Sequence, residues 1–377
     1  MPVSNLAALN ICFLAGTLGQ GGAERQLFYI LKTLRECGAH PWLLSLTRGE
    51  HWEAPIRSLG VPVTCVGQGR RLQRIWHILA ETRRRLPEII QSQHFYTNLY
   101  AVAAARAIGK REIGALRSAT VNEVQSHALT GKCSLKAPRQ MAANSRAAIN
   151  TAIEFGVATE RLFLLPNVVD TGIFTPKPHR NTGPVVLLAA GRLSEEKRLD
   201  RFLELIARLR QDAGQAVKGS AVKGPVVKGL IVGDGPQREQ LQNRAAAMNL
   251  SPEVVEFRGS TDHMADIYAE SDVLVLTSDW EGTPNVILEA MACGLPVAAA
   301  KVGGVPEIVE HRETGFLAGM EDETLLLEQM TAHLKLLIAD PQLRLEMGRA
   351  GRVKIEMNYS LATLPHYLSE IYKLVLA

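Results

Sequence analysis

The sequence predicts an α/β protein built from two doubly wound, mostly parallel sheets, and three observations predict it. Short apolar runs alternate with amphipathic helical patterns through both halves, as parallel strands covered by helices on each face require. The length of 377 residues suits two domains of ordinary size. A breaker-rich stretch, from Pro166-Asn167-Val168-Val169-Asp170 through Pro176, Pro178 and Pro184, divides the halves and reads as a hinge. The expected domains are 1–168 and 169–360, with a C-terminal helix at 361–377 packing back on the first. Ligands of such sheets bind outside the carboxyl ends of the strands, so the expected site is a central cleft between the two domains.

Taken in order, the apolar runs of strand length in the first half lie at 9–15, 42–46, 63–66, 88–92, 112–116, 140–144 and 162–165. In the second half they lie at 185–190, 226–232, 254–257, 273–276, 296–300 and 316–318. Between the first two strands of the second half, the helical pattern fades near Arg210. There Val217-Lys218-Gly219 recurs as Val222-Lys223-Gly224 and Val227-Lys228-Gly229. The first two copies read as an expanded surface loop without function, and the third enters the strand.

At 46% hydrophobic and 21% charged, the chain can bury substantial cores and is neither disordered nor membrane-spanning. Leu9-Asn10-Ile11-Cys12-Phe13-Leu14-Ala15 reads as a first strand rather than a signal peptide, since no basic region precedes it. Five scattered cysteines, none in C-x-x-C spacing, argue against a metal site or a disulfide framework and for a reducing cytosol.

The net charge of +4 hides an asymmetry: residues 1–166 hold 20 basic and 10 acidic side chains, leaving 22 basic and 28 acidic in the remainder. A basic first half invites an anionic partner, the inner membrane surface included. Nucleic acid is disfavoured, because no stacking-aromatic or recognition-helix pattern accompanies the charge. Arg70, Arg71, Arg74, Arg83, Arg84 and Arg85 surround Leu72, Ile75, Trp76, Leu79 and Leu86, spaced as one helical face. That pattern fits either a sheet-packing helix with a solvated basic side or a helix resting on anionic lipid.

The densest chemistry follows the strand at 273–276. Glu281 and Glu289 frame Glu281-Gly282-Thr283-Pro284-Asn285-Val286-Ile287-Leu288-Glu289, with Thr283 suited to an N-cap, Pro284 to the first helical position and Gly294 to the stop. The first glutamate thus sits in a loop at a strand's carboxyl end and the second a turn and a half into a helix. Helix N-terminal amides between them favour a phosphate. Two carboxylates able to accept from hydroxyls, with an anion site between them, suit a sugar joined to a nucleoside diphosphate.

These residues continue through Met291-Ala292-Cys293-Gly294-Leu295-Pro296-Val297 and Gly303-Gly304-Val305-Pro306-Glu307. With Gly191-Arg192-Leu193-Ser194-Glu195-Glu196-Lys197 and Gly21-Gly22-Ala23-Glu24-Arg25, the sequence resembles the retaining glycosyltransferases of family 4 over nearly its whole length. The resemblance implies the GT-B fold of two Rossmann-like domains, acceptor side first and nucleotide-sugar side second. It implies that Arg192 and Lys197 neutralise the donor's diphosphate, that Glu281 contacts the donor sugar and that Glu289 accepts from the ribose hydroxyls. Gly282, Thr283, Pro284, Asn285 and Val286 then form the helix start against the diphosphate, and Phe257 and Arg258 contact the nucleobase, largely through backbone. The loop holding Gly21 and Gly22 is implied to close over the diphosphate and the acceptor side.

The first half departs from the family pattern. Many relatives carry a histidine at the end of the fourth strand, near the reacting carbon. In the register Ile90-Gln91-Ser92-Gln93-His94-Phe95, Gln93 takes that place and His94 follows it. His94 is the candidate catalytic replacement, and the alternative is that Gln93 binds the sugar while His94 packs. Arg117 and Asn144 end strands and could face the acceptor or merely edge the cleft.

The expected activity is transfer of a hexose, first from UDP-glucose, to a saccharide or lipid-linked acceptor for an envelope or extracellular polysaccharide. No cofactor or bivalent metal is expected: no D-x-D occurs, and the cationic pair supplies the charge a metal would bring. The rivals are a nucleotide-sugar epimerase of the same fold and a two-lobed ligand-binding protein. A dinucleotide oxidoreductase is disfavoured because Gly16-Thr17-Leu18-Gly19-Gln20-Gly21-Gly22 does not fit G-x-G-x-x-G.

Overall fold

The computed structural model describes residues 5–67, 71–117, 128–176, 183–216 and 227–377, which divide into two units. The first comprises Met1–Val168 and Leu361–Ala377, the second Val169–Ser360. Val168 and Val169 are adjacent in the chain but buried in different hydrophobic clusters, so the boundary falls on a single peptide bond.

In the first unit, β1 (Asn10–Ala15), β2 (His40–Ser45), β3 (Val63–Cys65), β4 (Ile89–Ser92), β5 (Arg111–Leu116), β6 (Gln140–Ala143) and β7 (Leu162–Leu164) form one sheet. The order is β3-β2-β1-β4-β5-β6-β7, with every pairing parallel. Strand alternation divides β1 between two layers. Ile11, Phe13 and Ala15 face the cluster containing Leu27, Ile30, Leu31 and Leu34 of helix Gly22–Glu36, and Cys12 and Leu14 face Trp42, Ile78 and Ala101 on the other side. The final helix Leu364–Leu376 buries Leu364, Leu368, Ile371, Tyr372 and Val375 in the first of these clusters. At roughly 1.5–3 kcal/mol per fully buried side chain, this apolar stripe anchors the helix, and Tyr372 Oη donates to Gln91 Oε1 at 2.6 Å beneath it.

The second unit repeats the plan with β8 (Val185–Ala190), β9 (Val227–Val232), β10 (Val255–Gly259), β11 (Val273–Leu276), β12 (Val297–Ala300) and β13 (Gly315–Ala318). Their order is β10-β9-β8-β11-β12-β13, again parallel throughout. Two doubly wound sheets are thus the fold, and each expected strand is present within a few residues of its expected ends.

Three expectations need correction. The helix after β8 does not fade near Arg210 but runs Leu199–Ala216, since the Gln and Ala residues beyond Arg210 are good helix formers and one glycine does not stop a long helix. The helix after β11 starts one residue late: Pro284, with ψ 114°, is the cap and Asn285 the first helical residue. The apolar residues of helix Arg71–Arg85 divide rather than forming one buried face: Ile78 and Leu79 pack on the sheet, whereas Leu72 and Trp76 are 80% and 66% exposed. Arg70, Pro178, the first two Val-Lys-Gly copies and position 226 lie outside the described residues, while the third copy opens β9.

Candidate active site

In the second sheet the chain winds outward in opposite directions from β8 and β11, so these neighbours flank the switch point where loops part and ligands bind. A short 3-10 turn, Glu195–Lys197, follows β8 and brings Lys197 to this edge. Thr277, just beyond β11, donates from Oγ1 to the Lys197 carbonyl at 3.0 Å. Lys197 Nζ reaches Glu281 Oε1 at 2.7 Å, and the buried Ser278 Oγ donates to the same oxygen at 2.7 Å. The Glu281 side chain is only 8% exposed, so its carboxylate is oriented by two donors rather than free in solvent.

Behind this pair lies a second ionic layer. Arg198 adopts a left-handed conformation, φ 47°, which turns the chain into the helix from Leu199. Its guanidinium contacts Asp200, Asp279 and Glu323 at 3.1, 3.3 and 2.9 Å. The buried Arg201 binds the same Asp279 and Glu323 at 2.7 and 2.5 Å and donates to the Thr277 carbonyl at 2.9 Å. Removing one partner from such a network strands a buried charge, so these groups fix the two loops that carry Lys197 and Glu281. On the far side, the turn after β12 presses in so closely that a Cβ on Gly303 (φ 48°) would lie 1.8 Å from the Glu281 carbonyl oxygen. The Gly304 amide donates to the Gly282 carbonyl at 3.1 Å.

Helix Asn285–Ala292 starts at this edge, with Gly282, Thr283 and Pro284 leading into it and Val286 in its first turn. Glu289 is 4% exposed and receives a hydrogen bond from the buried Tyr268 Oη at 2.8 Å, a partner that a carboxylate at such depth requires. Arg192, two residues beyond β8, is exposed, and among the described residues its guanidinium makes no hydrogen bond or ion pair. The edge therefore offers one open cation, one cation already paired, and two oriented carboxylates.

Phe257 and Arg258 sit on the edge strand β10. Phe257 packs against the core, while Arg258 is bound to Glu256 at 2.8 Å and Glu270 at 2.6 Å. Hydrogen bonds from Arg258 and Lys228 hold the Glu256 carboxyl down at about 2. The stabilisation from this cluster is therefore present above pH 4.5 and is lost as the pH falls through about 2. The Arg258 side chain is committed to its neighbours.

The first-half candidates lie in the first unit. Gly21 caps and Gly22 opens helix Gly22–Glu36. Gln93 is fully buried, with Nε2 donating to the Ala23 carbonyl at 2.7 Å, and His94 follows it with both ring nitrogens in contact with protein groups. Asn144 Nδ2 donates to the Arg117 carbonyl at 2.8 Å.

Sequence reasoning missed Ser278, Tyr268, Arg198, Arg201 and Asp279. Ser278 carried a signal, standing three residues before a glutamate as in a capping box. Tyr268 carried none, because its closeness to Glu289 arises only when the helix before β11 packs on the helix after it.

Residues 172–354 match the family model described as glycosyl transferases group 1. The N-acetyl-alpha-D-glucosaminyl L-malate synthase of Bacillus anthracis is 34% identical over 143 residues, 38% of this chain and 36% of that protein. The GDP-mannose-dependent alpha-(1-6)-phosphatidylinositol monomannoside mannosyltransferase of Mycolicibacterium smegmatis is 31% identical over 225 residues, 55% of each chain. The chain thus spans about half or less of the length of these curated relatives. Among solved structures, Anabaena Alr3699/HepE in complex with UDP and glucose superposes with a TM-score of 0.83 at 19% identity, covering 97% of this chain and 99% of that one. The fold is accordingly GT-B.

Proposed function

From the match of residues 172–354 to the glycosyl transferases group 1 family model, we propose that this chain is a retaining glycosyltransferase. It moves a hexose from a nucleotide sugar to a saccharide or lipid-linked saccharide in the building of an envelope or extracellular polysaccharide. The observation that carries this reading is the Lys197–Glu281–Ser278 cluster at the β8/β11 switch point, beside the open Arg192 and the start of helix Asn285–Ala292. The cations and helix amides take the diphosphate, Glu281 takes hydroxyls of the sugar and Glu289 those of the ribose.

As the bond from the anomeric carbon to the phosphate oxygen breaks, charge gathers on the leaving diphosphate, where Lys197 and Arg192 offset it. The acceptor oxygen bonds to the anomeric carbon on the face the phosphate leaves, and its proton passes to the departing phosphate oxygen. UDP-glucose is the first donor to test, since the structural neighbour holds UDP and glucose. GDP-mannose is the second, from the name of the mycolicibacterial relative. Mass spectrometry of nucleotide sugars after incubation identifies the donor by its hydrolysis, and turnover of neither class would overturn the reading. With charge supplied by side chains, transfer is expected to persist in EDTA. Loss of activity that manganese restores would contradict the metal-free account.

Peripheral contact with an anionic membrane belongs to the same proposal. Among the described residues no helix is long and apolar enough to cross a membrane. On helix Arg71–Arg85, however, Leu72, Trp76 and Arg83 share one exposed face, on a unit whose composition is strongly basic. Co-sedimentation with vesicles is expected to require anionic lipid and to weaken in high salt and in L72S/W76S. Equal recovery with neutral and anionic vesicles would contradict it.

A further inference from the structure

The first sheet has its own switch point, between β1 and β4, and the groups there form a chain of hydrogen bonds that the reading above leaves unused. The Gly16 amide, directly after β1, donates to His94 Nδ1 at 3.1 Å. An accepting Nδ1 carries no proton, so in the neutral ring the hydrogen sits on Nε2. Nε2 lies 3.1 Å from Glu24 Oε1, on the first turn of helix Gly22–Glu36. The two side chains are 11% and 8% exposed, and the imidazole stacks on Tyr96 with centroids 5.3 Å apart. One residue back, Gln93 Nε2 repeats the link by donating to the Ala23 carbonyl.

The segment between Gly16 and Glu24 is therefore held at both ends by the residues that follow β4. Its middle is held by Glu50, which accepts from the Leu18 amide and from Thr17 Oγ1. Burial pushes the Glu50 carboxyl up, but hydrogen bonds from Thr47, the Leu18 amide and Thr17 outweigh it and leave the group below its ordinary range. A charged Glu50 thus suits the same loop shape.

We propose that Glu24 is a positioning residue. It fixes His94 as the Nε2–H tautomer, and the bare Nδ1 then anchors the glycine loop at Gly16. His94 acts on the loop and not on the sugar, which replaces the expectation that it serves as the catalytic histidine. The consequence for rate rests on the glycosyl-transfer reading, whereas the tautomer does not.

Two arms test it. Nitrogen-15 NMR of histidine-labelled full-length protein, with the His94 signal among ten histidines identified by its loss in H94N, is expected to show a neutral ring protonated at Nε2. That signature should persist in E24Q, whose amide oxygen still accepts, and become averaged in E24A. In transfer assays E24A and H94A should each lower kcat/KM by about 10²-fold, the scale of a misplaced positioning group, with melting temperatures monitored alongside. The double variant should be no worse than the poorer single one. E24Q should regain most of the activity, and H94N, whose amide oxygen reaches the place of Nδ1, should exceed H94Q. A ring protonated at Nδ1, additive losses, or E24Q as impaired as E24A would each overturn the proposal. If no nucleotide sugar is turned over, the transfer reading fails by itself and the NMR arm still decides the tautomer.

Discussion

Lys197→Ala is expected to lower kcat/KM for sugar transfer by about 10²- to 10³-fold, the cost of removing one preorganised group that meets developing charge. The ammonium stands 2.7 Å from Glu281 Oε1 and is held there by the fixed turn after β8, so it needs no reorganisation as the leaving diphosphate gains charge. Glu281→Ala should be comparably damaging, because it removes both the acceptor for the sugar and the group that orients Lys197. The fold should survive either change. A partly buried partner left unpaired costs about 1–3 kcal/mol, against roughly 5–15 kcal/mol for a typical domain, and the Arg198–Asp279–Arg201 layer behind the pair stays intact. Initial rates of nucleoside diphosphate release with matched thermal melts check this. Near-normal rates in both variants would remove the site.

Glu289→Gln is expected to act on donor binding, raising the donor KM about 10²-fold with a smaller change in kcat. A hydrogen bond to a charged acceptor contributes about 1.5–3 kcal/mol, and a ribose offers two hydroxyls to the one carboxylate. Glu289 keeps its place because it is 4% exposed and Tyr268 Oη secures Oε2 at 2.8 Å. The diagnostic comparison uses deoxyribose analogues of the donor nucleotide. Wild-type protein should bind them far more weakly than the ribonucleotide, whereas Glu289→Gln should scarcely distinguish them. Undiminished discrimination in the variant would show that Glu289 is only a buried structural charge. Tyr268→Phe should cause a smaller loss of the same kind, since the carboxylate remains but loses its orienting donor.

Much of this was legible in the sequence because it is local. Runs such as Val273-Leu274-Val275-Leu276 are buried on both faces and must be parallel strands, and the Glu281–Glu289 spacing is fixed by one helix start. What could not be read is what the fold brings together across long separations. Lys197 and Glu281 are 84 positions apart, and His94 and Glu24 are 70 apart. His94 stood as a candidate reacting group because the family resemblance implies a histidine at the end of the fourth strand. Only the register of β1 against β4 brings its Nδ1 to the Gly16 amide. Arg258 likewise stands at a strand end, and only the fold shows that Glu256 and Glu270 occupy its guanidinium. The exposed face of helix Arg71–Arg85 was ambiguous because periodicity tells which residues share a side but not whether that side meets a sheet or water.

The central claim is that the second unit grips the diphosphate of its donor at the carboxyl edge of β8 and β11. A crystal structure of the chain with bound UDP or GDP tests it most directly. The expected result places the phosphates within hydrogen-bond distance of Arg192, Lys197 and the amides leading into helix Asn285–Ala292, with the Glu289 carboxylate on the ribose. A nucleotide bound elsewhere, with the Lys197 ammonium still held only by Glu281, would contradict it.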